Sequence, residues 1–140
     1  MPPVPIRYDA AALDLGPRWF FTTTVAGSPA AAAITIIASL TITGDIASTK
    51  GVQLLGQIGW TVGTDGVSGL LQVRKTDASG TVVGSTGAVT AVAATLRSDS
   101  VIGIDTSPTL PGQVYVLTLT VASGSAPSTV GFARLAALVV

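Results

Sequence analysis

The 140-residue sequence contains no cysteine and no histidine, and all seven of its acids are aspartate, so glutamate is absent too. These gaps exclude much chemistry. There is no Cys nucleophile, no disulfide, no Cys/His zinc site, no His general base and no Ser-His-Asp triad. The missing cysteine fits a reducing compartment, and fits equally a protein that later meets oxidising surroundings. Charge of either sign is scarce. Seven Lys/Arg balance seven Asp, and 10% of residues are charged, against roughly 25% in an average soluble domain. Zero net charge with no basic cluster argues against nucleic acid as the main partner.

What is present is apolar and small. Hydrophobic residues make up 48% of the chain, mostly Ala and Val, while aromatics make up 5%. A mass of 13.9 kDa is one domain's worth. A domain of this size leaves about 30% of its unfolded-chain surface in water. Fourteen charges cover that surface thinly, so the 19 Thr and 12 Ser must cover much of the rest, or a partner must. Near-zero net charge also favours association.

A mean hydropathy of +0.66 makes a membrane span worth testing. Residues 19–44 and 106–133 carry no charge and are long enough to span. Gly27-Ser28-Pro29 breaks the first, however, and Pro108, Pro111 and Pro127 break the second. Both stretches are rich in Thr and other β-branched residues, so no transmembrane helix and no membrane partner are expected. The opening Met1-Pro2-Pro3-Val4-Pro5 lacks the basic-then-apolar pattern of a secretory signal, which implies synthesis in the cytoplasm.

Residues 1–18 hold four of the eight prolines and four of the fourteen charges. Pro2, Pro3 and Pro5 favour extended geometry. Asp9 through Leu15 has the length of one or two helical turns, closed by Gly16-Pro17. Ile6, Tyr8, Leu13 and Leu15 are more apolar than a solvent tail needs. The segment reads as an N-terminal arm, residues 1–18, preceding a β-sandwich domain, residues 19–140.

From Trp19 onward, strand and turn alternate. Trp19–Val25 is aromatic, then Thr-rich. Ala33–Thr43 alternates, with Ile34, Ile36, Ala38, Leu40 and Ile42 on one face. Val52–Val62 alternates most clearly, placing Val52, Leu54, Gly56, Ile58, Trp60 and Val62 together. Thr64-Asp65-Gly66 is a hairpin signal. Val67–Lys75 follows, with Leu71 and Val73 inward. After the Asp77–Gly80 turn come a short strand at Thr81–Val83 and a strand over Ala88–Leu96. Arg97–Ser100 then reads as a turn and Val101–Ile104 as a short strand. A loop over Ser107–Gly112 leads to Gln113–Ala122, with Tyr115, Leu117, Leu119 and Val121 on one face. Val130–Val140 ends the chain. Eight or nine strands at turn spacings of about 8–12 residues predict an all-β, jelly-roll-like sandwich with an extended N-terminal arm. An immunoglobulin-like sandwich is the alternative, although the Cys–Trp–Cys core is missing.

No arrangement of residues predicts catalysis, a cofactor or a metal. Six of the seven aspartates (9, 14, 45, 65, 77 and 99) fall in turn or arm sequence, where Asp bonds nearby backbone, and Asp105 ends a strand. No D-x-D motif supports calcium. Arg74-Lys75, the one basic pair, reads as a solvated hairpin end. The triplets Thr22–Thr24, Thr41–Thr43 and Thr118–Thr120 have the makings of a flat Thr face, but Thr on the open side of strands is the commoner reason. Trp60 reads as core. Trp19, where arm meets first strand, either plugs one end of the sandwich or anchors a partner. Arg134, in the apolar last strand, suggests a sheet edge, a rim or an interface pair.

A small all-β domain with a Pro-rich arm, few charges, no catalytic residues and an Ala/Gly/Thr/Val-rich composition resembles the capsid decoration, or cement, proteins of tailed bacteriophages. In length and mass it is similar to the jelly-roll cementing type found in a Bordetella phage. The resemblance implies a structural virion protein rather than an enzyme. It would sit on the outer surface of an icosahedral capsid and bridge major capsid protein subunits, as a homodimer across two-fold positions or as a trimer. Contacts with the shell are expected from Pro3, Ile6, Tyr8, Arg18 and Trp19. The alternative function is a carbohydrate-binding or adhesion module of a tail fibre, with a tryptophan as sugar platform.

Overall fold

The computed structural model describes residues 18–24, 29, 32–43, 51–63, 67–122 and 128–140. Nine strands run through them: β1 (Arg18–Thr24), β2 (Ile34–Thr41), β3 (Val52–Val62), β4 (Val67–Lys75), β5 (Val82–Ser85), β6 (Val89–Ala91), β7 (Arg97–Asp105), β8 (Val114–Val121) and β9 (Ser128–Val139). Among the described residues no helix is long and apolar enough to cross a membrane.

The pairing follows one simple scheme. First pairs with last: β1 with β9, β2 with β8, β3 with β7 and β4 with β5, all antiparallel. The chain is thus one long hairpin of paired strands, rolled up. Rolling brings β9 against β3 and β8 against β4. The result is a four-stranded sheet A, in the order β1-β9-β3-β7, facing a sheet B in the order β2-β8-β4-β5 with β6 beside β4. This double Greek key is a jelly roll, as the strand spacing predicts.

The core lies between the sheets and follows the alternation read from the sequence. Val52, Leu54, Ile58, Trp60 and Val62 of β3 meet Tyr115, Leu117, Leu119 and Val121 of β8. The last strand is central, not an edge. Val139 is buried, and Val140 and Gly51 exchange backbone hydrogen bonds. Arg134 therefore lies on the outward face of an interior strand, its guanidinium 5.8 Å from the centre of the Phe132 ring.

The structure corrects the sequence reading at three places. In β2 a bulge between Ile36 and Ala38 switches faces, so Ile34 and Ile36 point to solvent while Ile37, Ala38, Leu40 and Ile42 are buried. The strand expected over Ala88–Leu96 is cut to three residues, because Ala94 takes a positive φ and its N–H bonds back to the Val62 carbonyl. The turn expected at Arg97–Ser100 is instead the start of β7, a continuous nine-residue strand.

β7 stays extended because its charges have partners. Arg97 and Asp99, two residues apart on one face, bond through Nε to both carboxylate oxygens at 3.0 and 2.8 Å. Arg97 also donates to the Thr90 carbonyl, and the buried Trp60 Nε1–H donates to Asp99 Oδ2 at 2.8 Å. At the other end of β7, Asp105 Oδ2 accepts from the Tyr115 hydroxyl at 2.8 Å and pairs with Lys75 Nζ at 2.9 Å. Its Oδ1 takes the Ser107 N–H. The expected solvated hairpin end is thus half wrong: Lys75 ties β4 to β7 across the sandwich.

Between these two clusters the sheets approach closely. A Cβ on Gly84 of β5 would lie 2.5 Å from the Ile102 carbonyl oxygen and 2.7 Å from Gly103 Cα. Only a residue without a side chain lets β5 lie on β7 there. Gly84→Ala is therefore expected to destabilise the fold by about 1–3 kcal/mol, read from urea unfolding.

Burial raises the Asp105 pKa, but the Lys75 hydrogen bond, the Ser107 N–H, the Tyr115 hydroxyl and the Lys75 charge outweigh it, leaving it below the ordinary carboxylate value. Burial first, then the Asp105 bond and charge, push Tyr115 up. With its folded pKa depressed, Asp105 contributes stability above its unfolded pKa and loses it as pH falls through the folded value. Asp105→Asn should lower the melting temperature at pH 7 and flatten its decline in acid. An unchanged acid slope would show that the ion pair contributes nothing to it.

Candidate interaction surface

Sheet A turns one face to the core and the other outward. The outward residues line up in register across all four strands. Trp19 of β1 lies beside Leu138 of β9, then Gln53 of β3, then Ile104 of β7. The next row is Phe21, Ala136, Leu55 and Ile102. A third row carries Arg134, Gln57 and Ser100. Trp19, Phe21, Leu55, Ile102 and Ile104 are 62, 75, 39, 72 and 61% exposed. Shallow hollows run between them, floored by Leu55, Ala136 and Leu138. Two contiguous rows of a sheet face are thus apolar except for Gln53, and Arg134 is the single charge in the third. Contiguous apolar patches of a few hundred Å² are often functional, whereas isolated exposed leucines need no explanation.

Of the residues expected to contact a partner, Trp19 is on this face, pointing outward and 62% exposed, and does not plug an end of the sandwich. The backbone of Arg18 opens β1 opposite Val139. Pro3, Ile6 and Tyr8, with the rest of the arm, lie outside the described residues, as do Asp9, Asp14, Asp45 and Asp65. Phe21, Leu55, Ile102 and Ile104 of this face were not singled out from the sequence. Their signal was present as apolar neighbours within strands: Trp19-Phe20-Phe21, Leu54-Leu55 and Val101-Ile102. Adjacent apolar residues in a strand serve both faces, which suits a sheet covered on both sides.

The remaining candidates separate. Trp60 is fully buried, as expected. Thr22 belongs to sheet A, while Thr41 and Thr118 belong to sheet B, where Thr118 is buried and donates to the Gln72 carbonyl. The triplets therefore make no common Thr face. Asp77 sits in its turn, accepting from the Ser79 N–H and hydroxyl, and these bonds lower its pKa. Asp99 does not sit in a turn, for the reason given above. Among the described residues no group of three or more His, Cys, Asp or Glu is placed to hold a metal. A polar hollow beside Lys75, Thr81 and Ser107 reaches Asp105, but Lys75 and Asp105 are already engaged with each other.

The fold places the chain among jelly-roll sandwiches. No protein-family model and no curated protein matches the sequence. Among solved structures it is similar to a mutant VP2 protein of infectious bursal disease virus, from derived T=1 particles. The two share 13% identity with a TM-score of 0.58 over 86% of this chain. The chain spans 31% of the length of that VP2 chain, so the likeness is one of domain fold. A chain from the Gx strain of the same virus (12% identity, TM-score 0.42, covering 88% of this chain and 40% of that one) overlaps too loosely to bear on the fold. So does one from the Bacillus endospore appendages, described as disulfide-linked pili (14%, TM-score 0.39, covering 89% and 87%).

Because the outward apolar side chains of sheet A project away from the core, Phe21→Ser and Ile102→Ser should each change stability by less than about 1 kcal/mol in urea unfolding. A loss of several kcal/mol would mean that the face is packed within the chain itself.

Proposed function

We propose that this chain is a structural virion protein that binds the outer surface of an icosahedral phage capsid and cements neighbouring major capsid protein subunits. In this reading it acts as a dimer at two-fold positions. The observation that supports a role in an assembly is the outer face of sheet A: a rigid sandwich presents two rows that are apolar except for Gln53, with Arg134 beside them, a surface that a neighbour in an assembly, another copy or the shell, would cover. The jelly-roll fold, shared with a protein of viral particles, is consistent with it. Fold alone does not assign function.

The mechanism is mass action and buried area. A rigid β domain set across a subunit boundary opposes separation of the subunits. Copies that bind only the mature lattice stabilise that lattice in proportion to their free concentration. The arm adds reach, with Pro3, Ile6, Tyr8 and Arg18 as the contacts we assign to the shell and Trp19 at the junction. Ordering the arm opposes binding, and its apolar residues must offset that entropy. Glycan binding is the weaker reading, since Trp60 is buried with its indole N–H bonded to Asp99 and cannot stack on a sugar.

Density-gradient fractionation of particles from the source, with this chain quantified against the main shell protein, tests the role. The expected result is near-stoichiometric co-migration, with particles lacking the chain losing resistance to heat. Recovery only in free, low-mass fractions would sink the reading and bring glycan binding forward. Deleting residues 2–16 should lower particle occupancy while leaving the melting temperature of the free protein within a few degrees. Unchanged occupancy would remove the arm from the mechanism.

A further inference from the structure

We infer that the outer face of sheet A is the seat of a second copy of this chain. The pair would be related by a two-fold axis that runs parallel to the strands, midway between β9 and β3. The inference rests on the dimeric form of the proposed function and assigns it a face and a geometry.

The argument is self-complementarity. That axis lays β1 of one copy over β7 of the other, and β9 over β3, with each row kept on its own row. Trp19 then meets the partner's Ile104, and Phe21 meets the partner's Ile102. Small Ala136 meets the partner's Leu55, and Leu138 meets the partner's Gln53, an apolar-to-amide contact that is uncharged. Arg134, the charge on the face, meets the partner's Gln57, an amide that can accept from it, and not its own copy. Every one of these oppositions follows from the registers of β1, β9, β3 and β7. A two-fold axis across the strands does worse. It reverses the rows and sets Leu138 against the partner's Arg134, and it stacks the aromatic edge on itself. Facing sheets pack about 10 Å apart with strands about 30° from aligned, which an axis bisecting the two strand directions allows.

The size of the patch sets the strength. Four strands about 4.8 Å apart and three rows about 7 Å apart make a patch of roughly 400 Å² on each copy. Two such patches fall at or below the lower end of specific interfaces, so the dimer should be reversible and dissociate on dilution. Trp19 then faces the second copy, which leaves Pro3, Ile6, Tyr8 and Arg18 to the shell.

A charge swap tests the geometry. Phe21 and Ile102 lie at opposite edges of the face, on β1 and β7, so they cannot pair within one chain. Sedimentation of the purified full chain across the micromolar range should show a monomer–dimer equilibrium. Phe21→Lys and Ile102→Glu should each weaken it by about a hundredfold, by burying an unpaired charge against an apolar side chain. Circular dichroism should show both variants folded. Mixed one to one, they should recover the dimer as a heterodimer, because the lysine of one copy then opposes the glutamate of the other. Three results would overturn the inference: a wild-type chain that stays monomeric, single variants that dimerise like wild type, or folded variants whose mixture does not recover. A monomeric wild type that still loads onto particles would give this face to the shell protein and leave the capsid role standing.

Discussion

Two polar atoms inside this sandwich have to be satisfied before anything else can settle: the indole N–H of Trp60 and the hydroxyl of Tyr115. Both side chains are fully buried, and most of the core around them is Val, Leu and Ala. A buried donor without a partner costs on the order of 1–3 kcal/mol, a large share of the stability of a domain this size. One strand meets both needs. β7 presents Asp99 to Trp60 and Asp105 to Tyr115, six residues apart on its inward face. Each carboxylate is in turn held by a cation, Arg97 for the first and Lys75 for the second. The strand order places β7 at the edge of sheet A, under β5. The two clusters thus pin the open side of the roll, with the Gly84–Gly103 approach between them.

That arrangement bears on the surface. The chain has fourteen charges, and four of them (Lys75, Arg97, Asp99 and Asp105) are taken up in pinning β7. Arg74 is turned along its own sheet, donating to the Gly80 carbonyl and the Gln72 side chain. Among the described residues, the outer face of sheet A carries Arg134 as its charge. The scarcity of charge seen in the composition is therefore distributed unevenly: ion pairs hold the edge of the sandwich while a broad sheet face is left apolar. A protein that worked as a free monomer would gain from the reverse allocation.

The parts legible in the sequence were those where one physical signal acts alone. β3 alternates cleanly because one face is in the core, and in β8 Tyr115, Leu117, Leu119 and Val121 are inward as expected, although Val116 and Thr118 on its other face are buried too. β2 was misread at Ile34, Ile36 and Ile37, because a bulge shifts register by one residue without a compositional mark, while Ala38, Leu40 and Ile42 beyond it are buried as expected. Arg97–Ser100 resembled a turn because charged and small polar residues usually reach for solvent or local backbone. Only the position of Trp60, thirty-nine residues away in sequence, makes Asp99 a strand residue. The interaction face was half legible. Trp19 stood out as an aromatic at a junction, whereas Leu55, Ile102 and Ile104 were read as strand residues with no role of their own. Adjacent apolar residues can be assigned to an outer face only once the sheet order is known.

The magnitudes suggest why such a face would suit an assembly. Two of the three rows in each patch are mostly apolar, and burying about 500 Å² of such surface in all at roughly 25 cal/mol per Å² yields on the order of 13 kcal/mol in gross terms. Association consumes about 4–15 kcal/mol of lost motion, and further ordering of side chains takes more. The surplus is small, so the proposed pair would form and separate readily. On a lattice the balance changes. A pair whose two arms each engage a subunit binds the second site at the high effective concentration set by the first. A weak contact between copies then adds to a weak contact with the shell, and occupancy follows the spacing of sites on the surface. Under the proposed function, a face too small to hold a tight dimer in solution is sufficient to favour two sites held at the right separation over one.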